Sequence, residues 1–213
     1  MNTPLEKLEA AIAEYLESLN ESNFPKKSET LVVNLIGGPG IGKTIMASDV
    51  FSALKREYIT CDISSEYIKR KLREQAAKVV QSQIYIFGKQ QFQLFGMIDN
   101  VLVIVTDSPI ILSAIYPLDK EKCPLLTGLI LKEYKSYNNM MFFIDRDEEA
   151  VYETEGRYQD LTGAKQVDLA VKGFLDKHKI DYNTVKGIGS ESLQNILQTV
   201  KSHLKNGKKE QAN

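Results

Sequence analysis

The sequence predicts an α/β fold around a mostly parallel sheet of five strands, and three observations carry that expectation. Short apolar runs rich in β-branched residues alternate with segments of helical period. Two of those runs end in glycines or in an acid, at Gly37-Gly38 and at Asp107, as strands do when they pass into ligand-bearing loops. The connecting segments are long enough for crossover helices, which parallel pairing requires.

Each element follows in order. Thr3-Pro4-Leu5-Glu6 has the form of a capping box with proline at the first helical position. Leu5, Leu8, Ile12, Leu16 and Leu19 then continue an amphipathic helix of about four turns that ends before Asn23-Phe24-Pro25. Pro25–Glu29 is polar and reads as a linker, so residues 1–27 form an appendage that packs on the domain or meets a partner, a second copy of the chain included. Leu31–Ile36 is a buried strand, Lys43 to about Arg56 a helix, and Tyr58–Cys61 a second strand. Ser65–Val80 and Ser82–Asn100 carry helical patterns, and Val101–Thr106 is a near-continuous apolar strand. Pro109–Tyr116 and Leu125–Tyr137 are expected helices, Met140–Ile144 a fourth strand, and Asp181–Val185 a weak fifth between helices at Ala164–Lys179 and Glu191–Leu204. Residues 28–204 thus make one domain, and the polar tail Lys205–Asn213 is expected to be disordered.

Composition narrows the function classes. The chain has 213 residues, 43% of them hydrophobic, which suffices for one sizeable core. A formal net charge of −1 argues against a broad nucleic-acid-binding surface. No apolar run is long enough to span a bilayer, and the acidic, amphipathic start is unlike a signal peptide. Cys61 and Cys123 are too few for a disulfide framework and read as reduced thiols of a cytoplasmic protein. His178 and His203 have no metal-ligand spacing, so packing or surface roles are expected for them.

Gly37-Gly38-Pro39-Gly40-Ile41-Gly42-Lys43-Thr44 matches G-x-x-x-x-G-K-[ST] in full, between an expected strand and an expected helix. A polyphosphate needs many donors at close range, and glycines let backbone N–H groups turn inward with no Cβ in the way. The helix that follows adds its positive end. Gly38, Gly40, Ile41, Gly42, Lys43, Thr44 and Ile45 are therefore the expected contacts to ATP. Lys43 can reach between the β- and γ-phosphates, and Thr44 can ligate Mg2+. Downstream, Asp107 ends the strand Val101–Thr106, where an acid holds magnesium near the P-loop hydroxyl. Asp107-Ser108-Pro109 also suits a helix N-terminus, and both roles can hold together.

The acceptor side is less sharply written. Asp62 and Glu66 follow the second strand, at the sheet edge where open α/β folds bind ligands. Either can accept a hydroxyl proton during transfer, or Ser64 caps a helix and Glu66 is a solvated first-turn acid. The stretch Arg146–Gln159 has two arginines, Arg146 and Arg157, several acids and little apolar patterning. It reads as a lid that neutralises the transferring group, against the alternative of a charged surface loop.

Five segments taken together resemble a known family: Asn34–Thr44, Ser65-Glu66-Tyr67, Gln83–Gln90, Thr106-Asp107-Ser108-Pro109 and Gly156-Arg157-Tyr158-Gln159. They look like the P-loop family common in bacteriophages and described as an AAA-like ATP-binding domain. Its functional relatives are nucleoside and nucleotide kinases, nicotinamide riboside kinase among them. The resemblance covers about residues 30–190 and implies a three-layer P-loop sandwich with a five-stranded kinase core. It places Glu66 with Gln83 or Gln90 at the acceptor pocket, Asp107 near magnesium and Arg157 on the lid, with Tyr152 on the substrate side. It also places Gly187-Ile188-Gly189-Ser190, and so Gly189, near the adenine. Where family members often carry arginines after the Lys-Gln pair, this chain has Gln91-Phe92-Gln93, and it carries Lys69, Arg70, Lys71, Arg73 and Lys78 beyond Glu66.

The resulting expectation is a Mg2+- and ATP-dependent phosphotransferase acting on a nucleoside or nucleotide, in the cytoplasm of a bacterium or of a phage host. A kinase acting on a hydroxymethylated base within phage DNA is the alternative that the basic segment Ile68–Lys78 motivates. A nucleotide-switched ATPase or binding protein is a further alternative, from another class.

Overall fold

The computed structural model of the chain describes residues 3–18, 28–65, 82–116, 122–147 and 161–210. Five strands form one sheet, β1 (Leu31–Ile36), β2 (Cys61–Ser64), β3 (Val103–Thr106), β4 (Asn138–Asp145) and β5 (Asn183–Lys186). They lie in the order β2-β3-β1-β4-β5, and every pair is parallel. The described helices are α1 (Pro4–Ser18), α2 (Lys43–Arg56), α3 (Gln83–Phe95), α4 (Leu112–Ile115), α5 (Pro124–Ser136), α6 (Leu161–Lys177) and α7 (Ser190–Glu210).

The central strand explains the layering. All six residues of β1 are buried, as a strand covered on both faces must be. Alternate side chains divide between two cores. Val32 and Ile36 pack with Phe87, Ile111, Ile130, Val167 and Val171 beneath α3, α4, α5 and α6. Leu31, Val33 and Leu35 pack with Met46, Val50, Leu54, Ile196 and Val200 beneath α2 and α7. The result is a three-layer sandwich. Asn34, the polar residue of β1, donates to the Val32 carbonyl and to Asn139 Oδ1, both at 3.0 Å, so the buried amide is satisfied.

The capping box forms reciprocally: Glu6 N–H donates to Thr3 Oγ1 at 3.2 Å, and Thr3 N–H to Glu6 Oε2 at 2.6 Å. Helix α1 lies against α5, where a Cβ on Gly128 would stand 2.8 Å from Ile12; Leu16 is buried, while Leu5 and Leu8 face solvent. Lys135 donates to the Leu16 carbonyl at 3.0 Å, placing a cation at the negative end of α1.

Several boundaries differ from expectation. The second strand runs three residues later, at Cys61–Ser64, because Tyr58 takes a left-handed turn (φ 58°) that ends α2 instead of opening a strand. Helix α4 is confined to Leu112–Ile115, since Pro109–Ile111 is wound tighter, with Leu112 N–H bonded to the Pro109 carbonyl. Helix α3 stops at Phe95, before Asp99 adopts φ 65°. The last helix continues to Glu210, well into the tail expected to lack structure. The expected helix Ser65–Val80, with its basic segment, lies for all but Ser65 outside the described residues, and most of the expected lid does too. Among the described residues no helix is long and apolar enough to cross a membrane.

Leu16→Ala should loosen α1 while leaving the sandwich intact. Amide hydrogen exchange over Pro4–Ser18 is expected to quicken markedly, with strands β1 and β4 as protected as before. Equal loss of protection in the sheet would show that α1 is integral to the core.

Candidate phosphate-binding site

Sheet order positions the site. Strand β1 lies between β3 and β4, so the loop leaving Ile36 has the exit of β3 on one side and the exit of β4 on the other. Gly42 takes φ 87° at the N-cap of α2, a left-handed conformation that favours glycine, and no side chain caps that helix. The first-turn N–H groups of an α-helix have no acceptor within the helix, so this end is suited to an anion. A Cβ on Gly42 would also lie 2.6 Å from Ile188, so the loop between β5 and α7 rests against the P-loop. Gly189 is the next residue of that loop.

Within the loop, Lys43 Nζ donates to the carbonyls of Gly37 and Gly38, at 2.8 and 2.7 Å. On the β3 side, Thr44 Oγ1 donates to Asp107 Oδ2 at 2.6 Å, and Asp107 is 1% exposed. A hydroxyl and a carboxylate in direct contact at a phosphate-binding helix end are hard oxygen donors. Magnesium favours such donors when it completes its shell with water and phosphate. Among the described residues no cluster of three His, Cys, Asp or Glu side chains forms an all-protein metal cage. Thr44 and Asp107 fit the ion.

Gln90 extends this side of the site. It is buried on the inward face of α3 and its Nε2 donates to Ser108 Oγ at 2.5 Å, next to Asp107. Its Oε1 is buried with no hydrogen-bond partner among the described residues. Gln83 begins the same helix, seven residues earlier and on the same face, and is partly buried. Ile41 is buried against Gly37, and Ile45 is exposed.

Two expected participants, Asp62 and Arg146, stand differently. Asp62 is exposed within β2, level with Ile104, and accepts from Ile63 N–H at 2.7 Å. The three-residue shift of β2 puts it inside the strand instead of after it. Arg146, expected on a lid, is instead tied to the P-loop itself. Its Nε donates to Asp168 Oδ2 at 2.9 Å and its Nη2 to the Pro39 carbonyl at 3.0 Å. Glu66, Tyr152 and Arg157 lie outside the described residues.

Asp168 is the residue that sequence reasoning missed. Its Oδ1 accepts from the N–H of Gly38 at 2.5 Å. A signal was present, because on α6 the buried side chains Ala164, Val167, Val171 and Leu175 form one stripe, and Asp168 interrupts it. An acid in a buried stripe requires a partner.

No characterised protein matches the chain in sequence. Among solved structures, deoxyadenosine kinase from M. mycoides, with the products dCMP and a flexible dCDP bound, is similar at 13% identity and a TM-score of 0.46. That match covers 82% of this chain and 99% of the other. A family model described as AAA domain matches residues 32–191, from β1 through the P-loop, Asp107 and Arg146 to the start of α7. With that span covering most of its length and every phosphate-side residue described above, the chain belongs to this AAA domain family.

Proposed function

We propose that the chain is a P-loop phosphotransferase that uses Mg2+ and ATP and passes the γ-phosphoryl group to a nucleoside or nucleotide in the cytoplasm. The observation that carries the acceptor half of this reading is Gln90. Its amide is buried beside Asp107 and Ser108, with an oxygen that has no partner among the described residues. Leaving such a group unsatisfied costs about 1–3 kcal/mol, and a nucleobase edge offers the donor it lacks. An amide that both donates and accepts suits such an edge. A nucleotide switch has no need of a buried amide there.

The residues divide the work. The N–H groups from Gly40 to Thr44 bind phosphate oxygens, and Lys43 exchanges the carbonyls of Gly37 and Gly38 for the β- and γ-phosphates. Thr44 and Asp107 hold magnesium, which when bound neutralises charge building between the β- and γ-phosphates. Gln90, with Gln83 on the same helix face, orients the acceptor. From the sequence, Glu66 takes the acceptor's hydroxyl proton, Arg157 closes over the transferring group and Tyr152 lines the acceptor side.

Lys43→Ala and Thr44→Ala should each abolish ATP turnover in folded protein, assayed with labelled ATP. Undiminished turnover in either would remove the site.

A second test separates phosphotransfer from a switch. ATP with a labelled γ-phosphate, offered nucleosides, nucleotides and duplex DNA containing modified pyrimidines, should label a nucleoside or nucleotide. Glu66→Gln and Arg157→Ala should then lower acceptor-dependent transfer by about 10²–10⁴-fold while ATP affinity changes little. Labelled DNA alone would instead favour the DNA-kinase alternative. If no acceptor stimulates ATP consumption and Glu66→Gln leaves the basal rate untouched, a switch becomes the better reading.

A further inference from the structure

The outer side of the P-loop is built as carefully as its inner side. Of the backbone groups from Gly37 to Pro39, the carbonyls of Gly37 and Gly38 accept from Lys43. The Gly38 N–H goes to Asp168, and the Pro39 carbonyl accepts from Arg146. Asp168 and Arg146 are themselves joined at 2.9 Å, with side chains only 14% and 12% exposed. A Cβ on Gly38 would meet Asp168 Oδ1 at 2.5 Å and the Ala164 carbonyl at 2.7 Å, so α6 approaches the loop as closely as a glycine permits.

One helical turn further along, Lys172 pairs with Asp145 at 3.3 Å. Consecutive residues at the end of β4, Asp145 and Arg146, thus meet Lys172 and Asp168 of α6 with opposite polarity, which fixes how the helix sits on the strand end. The Asp145–Lys172 pair is half exposed and contributes little to stability. The Arg146–Asp168 pair is largely buried, and each partner spends a further hydrogen bond on the loop backbone.

We propose that Asp168 and Arg146 are positioning residues, which clamp the outer side of the P-loop so that its inner N–H groups are held ready for the phosphates. The inference rests on the nucleotide-binding half of the proposed function and is independent of the acceptor. Charge-assisted hydrogen bonds from a guanidinium and to a carboxylate are the strong, geometrically exacting kind. Without them the segment Gly37–Pro39 must find other partners, and the loop spends less time in its gripping shape. Arg146 has a second effect: it balances the Asp168 carboxylate, which would otherwise stand unpaired beside a polyanion.

Binding of MgADP, measured by isothermal titration calorimetry, tests this without any acceptor. Asp168→Ala and Arg146→Ala should each weaken binding by about 10–100-fold, as expected for loss of hydrogen bonds to charged groups. Arg146→Ala should bind more weakly than the Arg146→Ala/Asp168→Ala double variant, because the second change removes the bare carboxylate. Raising the salt concentration should narrow that difference. Arg146→Lys, which keeps the charge but not the fork, should fall between Arg146→Ala and the unaltered protein. A merely structural role would lower the ligand-free melting midpoint but would not produce this order of affinities. Should the alanine variants fail to fold, Asp168→Asn and Arg146→Lys carry the test, each with about tenfold weaker binding expected. Wild-type affinity in the folded clamp variants, with binding lost in Lys43→Ala, overturns the clamp alone. Wild-type affinity in Lys43→Ala as well overturns the nucleotide site with it.

Discussion

A phosphate-binding loop must turn several N–H groups toward one point, and the carbonyls and N–H groups that face the other way still need partners. That requirement organises this molecule. The loop begins where the fully buried β1 ends, so its entry is fixed by two cores at once. Its exit is fixed by α2, whose uncapped first turn is suited to a ligand. Between the two, Asp168 and Arg146 take up the Gly38 N–H and the Pro39 carbonyl.

The fold was legible because its signals are periodic and local. β1 matches its apolar run residue for residue, and α2 runs from Lys43 to Arg56 as its pattern predicts. Failures came where local preference was overruled by a single backbone event. Tyr58-Ile59-Thr60 has strong strand propensity, yet Tyr58 turns left-handed and Ile59 N–H closes back on the Leu54 carbonyl, so pairing with the β3 segment begins only at Thr60, whose carbonyl accepts from Leu102 N–H. At the other end, Lys205–Glu210 is too polar to read as packed structure. It remains helical as the continuation of a helix anchored by Ile196 and Val200. Extension of an existing helix adds a hydrogen bond per residue with no new nucleus.

Within the site, what could be read was what lies in one stretch of chain. The eight residues from Gly37 to Thr44 declare their chemistry by spacing, and Asp107 by its place after an apolar strand. The Thr44–Asp107 contact needed only that β3 and β1 be neighbours, which parallel α/β logic already favours. The Arg146–Asp168 clamp needs more: two residues 22 apart in sequence, one at a strand end and one inside a helical stripe, meeting on a third element. Periodicity marks Asp168 as anomalous but names no partner for it. Arg146 drew a lid assignment because arginine beside a nucleotide suggests charge neutralisation, and nothing local distinguishes a mobile arginine from an anchored one.

The strand order also separates two tasks that might otherwise interfere. Toward β3, Thr44, Asp107, Ser108 and Gln90 form an unbroken polar line from the P-loop to α3. Toward β4 and α6 lies the ionic support of the loop. Because β1 stands between them, residues on α3 can change without touching Arg146 and Asp168. Polar networks in low-dielectric surroundings tolerate partial loss poorly, so placing them on opposite flanks of one buried strand limits each change to its own side. The departure Gln91-Phe92-Gln93 falls in α3, the helix that carries Gln90 on the β3 side. The supporting flank, by contrast, is specified through the backbone of Gly38 and Pro39, where a changed side chain has least room to act.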